Sequence, residues 1–169
     1  MEMRKVLVYT ILIVGSACSA LQEKQKSNVN EIIKSQEIRK LSTTDLLIAG
    51  EALGKKIEES IMSKLELVCD IALVTDSISR QFNVNAAYGV TIDDFSIDEA
   101  SELFEAYLFA QMNGQILSSS IQEMPTRGYL YTIPVSIQDT RYSHCGYESP
   151  LLMYAIVLDN KIIISSLDE

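Results

Sequence analysis

The apolar residues of this chain change their period once, and the change falls at Gly114. Upstream, Leu46, Leu47, Ala49, Leu53, Ile57, Ile61, Leu65 and Val68 recur at three- and four-residue intervals, the spacing that lines up side chains on one face of an α-helix. Glu51, Lys55, Lys56, Glu58 and Glu59 fall mostly on the other side. A helical pattern is therefore expected from Glu31 to about Leu73, with Ser42, Thr43 or Thr44 as a cap and a break near Ser63 and Lys64. Thr75 or Asp76 reads as the N-cap of a short helix through Phe82. Residues 83–95 lose the period, and Gly89 suggests a turn. Ser96 with Glu99 three positions later reads as a capping box. Ile97, Ala100, Leu103, Phe104, Tyr107, Leu108 and Met112 then share a face that Asn113 and Gly114 close.

Beyond Gly114 the pattern becomes that of strands. Residues 115–122 and 129–137 read as two strands joined through Met124, Pro125, Thr126, Arg127 and Gly128. Residues 151–158 and 161–165 read as two more, joined by Asp159 and Asn160 as a hairpin turn. Helices first and strands last predict an α+β domain, with the helices packed on one face of an antiparallel sheet of about four or five strands.

The first residues carry a different kind of information. Met1-Glu2-Met3-Arg4-Lys5 is a short basic head, residues 6–14 are an apolar run, and Gly15-Ser16-Ala17-Cys18 closes it with small residues before a thiol. That order is the grammar of a secretion signal. The run falls short of the roughly 20 apolar residues of a spanning helix. Residues 1–17 are thus expected to be a signal peptide and Cys18 the acylated residue of a bacterial lipoprotein, with ordinary cleavage after Ala17 or Ala20 as the alternative. Residues 18–30 are polar and without a periodic apolar face, which suits a tether. Residues 31–169 are left as a single domain.

Loss of residues 1–17 leaves 152 of the 169 residues, enough for one core. Arg4, Lys5 and Glu2 leave with the head, so 14 basic and 23 acidic residues become 12 and 22, a net charge of −10. A surface so acidic repels phosphate backbones, and nucleic acid is not an expected partner. The expected contacts are the membrane, through the lipid, and a small molecule or a protein of the cell envelope, in the periplasm or at the outer membrane.

Chemistry-bearing motifs are sparse. His144 is the single histidine, so a Ser-His-Asp or Cys-His hydrolase would have to be built on it. Nucleophile elbows, phosphate-cradling glycine loops and zinc-finger spacings do not occur. Asp93, Asp94, Asp98 and Glu99 read as loop and helix-start carboxylates. No catalytic residue is expected.

Two segments carry a resemblance. Cys69-Asp70-Ile71-Ala72-Leu73-Val74-Thr75-Asp76-Ser77 lies upstream of Tyr131-Thr132-Ile133-Pro134-Val135 and Asp139-Thr140-Arg141-Tyr142-Ser143-His144-Cys145-Gly146. Together they resemble the extracytoplasmic PAS-like domain family that binds c-type haem, alone or as the sensor part of receptors. Members join a cysteine-bearing helix to a Tyr-x-x-Pro-Ile-like strand and a C-x-x-C-H-G motif, and the resemblance spans residues 49–146. It implies a PAS-like fold. In the family the motif cysteines tether the haem, the following histidine ligates iron, and the helix cysteine can be the second axial ligand.

Aligned on Gly146, Arg141 and His144 stand where the attachment cysteines belong and Cys145 where the histidine belongs, so this is a degenerate form without covalent attachment. Residues 85–94 also depart from the family's basic loop. Three states of Cys69, His144 and Cys145 follow: a buried helix cysteine beside a loop His-Cys with no ligand, a Cys69–Cys145 disulfide in an oxidising compartment, or haem or a metal held without a tether. The expected function is a non-enzymatic envelope lipoprotein, a sensor-like domain that binds a ligand or partner without a resident cofactor. The alternative is a redox-sensing or electron-transfer haem protein using Cys69 and His144.

Overall fold

The computed structural model describes residues 41–125, 128–136, 143–145 and 149–167, which belong to one compact unit, Leu41–Glu169. The predicted signal peptide, Cys18, the tether and the start of the first helical stretch lie outside the described residues. So do Asp139, Thr140, Arg141, Tyr142 and Gly146 of the resembling motif.

Helix α1, Thr43–Leu67, follows the apolar stripe and buries Ala49, Leu53, Ile57, Ile61 and Leu65. Its cap is Ser42: Ser42 Oγ accepts from Asp45 N at 3.1 Å while Asp45 Oδ2 accepts from Ser42 N at 3.0 Å, a reciprocal arrangement that satisfies two orphan donors. The expected break at Ser63 and Lys64 does not occur. Lys64 Nζ instead donates to Ser77 Oγ at 2.8 Å and Gln81 Oε1 at 2.7 Å on helix α2, Ile71–Phe82. The cap of α2 is Asp70, whose carboxylate accepts from Leu73 N at 3.0 Å. Thr75 and Asp76 lie inside the helix, and the Thr75 hydroxyl donates back to Ile71 O.

Strand β1, Asn85–Gly89, occupies the segment read as aperiodic. It is short and has no alternating apolar pattern, and it becomes a strand by pairing with β4 (Leu151–Leu158). Its last residue must be glycine, because a Cβ at Gly89 would lie 2.5 Å from the Phe95 ring. Helix α3, Asp98–Met112, ends on Asn113 and Gly114 (φ 68°) as expected. Its start corrects the capping-box expectation: Ile97 is the cap residue and gives no side-chain cap bond. Phe95 and Ile97 pack into the core there, so burial sets the entry of the helix.

The remaining strands are β2, Ser120–Met124, and β3, Gly128–Ser136, and the sheet is antiparallel in the order β1-β4-β3-β2. The expected strand at 115–122 therefore starts late, since the chain needs residues 115–119 to return from the end of α3 to the sheet edge. The expected strand at 161–165 is a helix, α4, Asn160–Ser165. Asp159 caps it by accepting from Lys161 N at 2.7 Å, in place of the predicted hairpin turn. Ile163 is fully buried under the sheet, and tertiary packing has overridden the strand preference of three consecutive isoleucines.

Helices do not pack on one face alone. Tyr129, Tyr131, Ile133 and Val135 of β3 and Leu152, Tyr154, Ile156 and Leu158 of β4 meet α1, α2 and α4. Leu130, Leu151, Met153 and Ala155 meet α3 on the opposite face. The cause lies in β3 and β4, whose near-continuous apolar runs leave neither face polar. None of the described helices is long and apolar enough to cross a membrane.

Candidate functional site

Three residues that the sequence marks out come together at the α1–α2 junction. Val68 leaves helical geometry (φ −136°) while its N–H still reaches Lys64 O, and Asp70 then starts α2. Cys69, between them, is thereby carried outside both helices and is exposed. Cys145 ends the short 3-10 turn Ser143–Cys145, and its Sγ lies 4.0 Å from Leu65 O in the last turn of α1. The two cysteines form a disulfide across 76 residues of sequence, with Cα atoms 5.2 Å apart. Of the three states considered, the cross-linked one is present, and Cys69 is neither buried nor within a helix.

His144 is exposed beside this bond, with Nε2 3.5 Å from Cys145 Sγ. The ligand atoms of Cys69, His144 and Cys145 all lie within 4.8 Å of one another. The disulfide leaves neither sulfur as a thiolate that could ligate a haem iron, so the Cys69–His144 ligand pair is not formed in this state and His144 is the one group of the three that keeps its lone pair for an iron.

The carboxylates with displaced titration serve the backbone. Asp94 Oδ2 accepts from Val90 N and Thr91 N, each at 2.8 Å, and these bonds hold its pKa below the usual carboxylate value. Asp45 is lowered in the same direction by its bonds to Ser42. Asp98 and Glu99 stand in the first turn of α3, where the helix dipole favours negative charge.

Two polar groups at the sheet carried no sequence signal beyond a hydroxyl among apolar neighbours. Tyr107 Oη, Ser120 Oγ and Thr132 Oγ1 form a closed triangle with sides of 2.9, 3.1 and 2.9 Å, in which each hydroxyl can donate once and accept once. On the other face the Tyr131 hydroxyl donates to Glu58 Oε2 at 2.9 Å and lies 3.0 Å from Ser119 Oγ. Burial above all pushes its pKa up; the Ser119 bond works the other way, and Glu58 raises it further. A surface cleft of about 340 Å³ opens between Leu53, Gln81, Asn83, Lys161 and Ser165.

No protein-family model matches the chain, and neither the curated proteins nor the solved structures contain a match to it.

Proposed function

We propose that this protein is an exported, lipid-anchored domain of the bacterial cell envelope that acts by binding a ligand or partner, not by catalysis. The observation that carries the reading is the Cys69–Cys145 disulfide, whose Cys69 end is exposed and whose Cys145 end is half-buried. Such bonds persist where the surroundings are oxidising and are rare where glutathione and thioredoxin keep thiols reduced. A signal-like head ending in Ser16-Ala17-Cys18 supplies the route to such a compartment. Binding is favoured over catalysis because the single histidine stands exposed beside a disulfide, while the carboxylates of Asp45 and Asp94 accept from the backbone N–H groups of Ser42, Val90 and Thr91. The PAS-like part of the reading rests on the sheet, in which the first strand pairs beside the last and helices flank both faces.

Fractionation and thiol counting test the proposal. The native chain is expected in the membrane fraction and Cys18→Ala in the soluble one. An unchanged membrane fraction would count against the anchor. Denatured, unreduced Cys18→Ala protein taken from cells is expected to show no free thiols, and two per chain would overturn the export argument.

A further inference from the structure

We infer that opening the Cys69–Cys145 disulfide converts the α1–α2 junction into a three-ligand site for zinc, formed by the Cys69 and Cys145 thiolates and His144. The inference needs neither the lipid anchor nor the PAS-like resemblance.

It starts from distances. Tetrahedral zinc with bonds of about 2.3 Å to sulfur and about 2.0 Å to nitrogen sets its sulfur and nitrogen ligands about 3.5 Å apart. Cys145 Sγ and His144 Nε2 are already 3.5 Å apart. All the ligand atoms fit inside 4.8 Å, so a single ion can reach the three residues. The change required is in the two sulfurs, which are covalently joined and must separate to about 3.8 Å around zinc. Cys69 has room for that movement, because it is exposed on a junction outside both helices.

The surroundings favour a cation. Cys145 Sγ faces Leu65 O at the C-terminal end of α1, where the helix carries its partial negative charge. Cys69 lies between the Val68 C-cap of α1 and the Asp70 N-cap of α2, next to that helix end. Two thiolates and an imidazole form a soft donor set suited to zinc, and three protein ligands leave the fourth position to water or an added donor.

The chemistry balances with a dithiol as reductant. Its thiolate attacks one cysteine sulfur, the protein S–S bond breaks and the other cysteine leaves, and the dithiol's second thiolate then displaces the first cysteine from the mixed disulfide. The dithiol leaves as its own disulfide, oxidised by two electrons, and Cys69 and Cys145 are released as two thiols. Zinc then displaces one proton from each thiol and takes the lone pair of neutral His144. The oxidised protein lacks this site, so metal occupancy would report the thiol state of the domain.

The test uses the Cys18→Ala chain, so that Cys69 and Cys145 are its only cysteines. It is compared oxidised and after dithiol reduction and anaerobic desalting, with Co2+ as the spectroscopic probe and Zn2+ in competition with a chromogenic chelator. Reduced protein is expected to bind one ion per chain at least ~100-fold more tightly than oxidised protein, with thiolate-to-cobalt charge-transfer bands and tetrahedral d–d bands. Joint replacement Cys69→Ser and Cys145→Ser should abolish both sets of bands. His144→Ala should weaken binding about tenfold, keep the charge-transfer bands and shift the d–d bands.

Equal binding by the two redox forms, or retention of the bands in the double serine variant, would overturn the site. An unchanged affinity and spectrum in His144→Ala would remove the histidine from it. Far-UV circular dichroism covers the case in which reduction unfolds the chain. One equivalent of Zn2+ is then expected to restore the helical signal, and a chain that stays unfolded with zinc refutes the inference.

Discussion

On one face of the sheet, Tyr131, Ile133, Tyr154 and Ile156 lie beneath three helices; on the other, Leu130, Leu151, Met153 and Ala155 lie beneath α3. The first layer is close-set, with Gly54 of α1 so near the Tyr131 ring that a Cβ there would lie 2.3 Å from it. It is also the layer whose α1–α2 junction carries the cross-link. The second layer is thinner and has the hydroxyl triangle of Tyr107, Ser120 and Thr132 inside it. Its helix ends in open apolar residues: Phe109 is 68% exposed, Met112 80% and Ile116, just beyond, 98%. Two strands buried on both sides can thus be covered unequally, three helices closing one face and a single helix on the other leaving apolar surface open at its end.

Removing the cross-link should have the largest effect. A closed loop spanning 76 residues restrains the unfolded chain, and the chain-entropy estimate of its loss is about 4.5 kcal/mol. Urea denaturation of Cys69→Ser with Cys145→Ser reads this as a lower midpoint, and an unchanged midpoint would contradict the cross-link's role. Next come paired core truncations. Ile61→Ala under the first layer should cost about 4 kcal/mol and Leu130→Ala under the second about 2.5 kcal/mol, since a site covered by one helix collapses more readily around a lost side chain. Both residues are fully buried, so equal losses would erase the distinction between the layers.

A smaller loss is expected from Gly54→Ala. Overpacking against Tyr131 should cost about 2 kcal/mol after the helix-propensity gain is deducted. Cβ contacts of 2.3 to 2.6 Å with the ring leave no relaxed position, and a stabilised variant would show that the first layer is loose. The smallest effect concerns the open end of α3. Phe109→Ser and Met112→Ser should each change stability by under about 0.5 kcal/mol, because both side chains stay mostly in water on folding. A large loss by either would mean that the thin layer extends to the helix end.

Tyr131 adds a pH test on the first layer. Its pKa is raised in the folded state, chiefly by burial. Folding therefore opposes its ionisation, and this contribution is complete below the unfolded tyrosine value of about 10 and lost as pH rises above it. Tyr131→Phe should flatten the alkaline fall in stability measured by urea denaturation across that range. An identical slope would show that the phenol ionises freely in the fold.

Much of the helical half is legible residue by residue. Leu53, Ile57, Ile61 and Leu65 are the buried stripe of α1, and Gly114 ends α3 with the positive φ that its sequence implies. Leu47 and Val68, counted in the same stripe, are exposed, because the period marks a sector and burial depends on what covers it. The two-sided burial of β3 and β4 had a signal in their near-continuous apolar runs, which a one-faced sheet does not need. β1 and α4 had none. Asn85–Gly89 is strand only because β4 offers a partner, and Asn160–Ser165 is helix only because Asp159 caps it where Ile163 can be buried.

The same division holds for the candidate site. Composition and motif single out Cys69, His144 and Cys145, since a lone histidine beside a cysteine is visible in any reading of the chain. They leave open whether the sulfurs are free, ligated or joined. That was settled by the tertiary structure, which ends α1 at Leu67, turns Cys69 outward and brings Cys145 against Leu65 O. The physical reason is one of range: periodicity, caps and turns act over a few residues, whereas a bond across 76 residues depends on how whole elements pack.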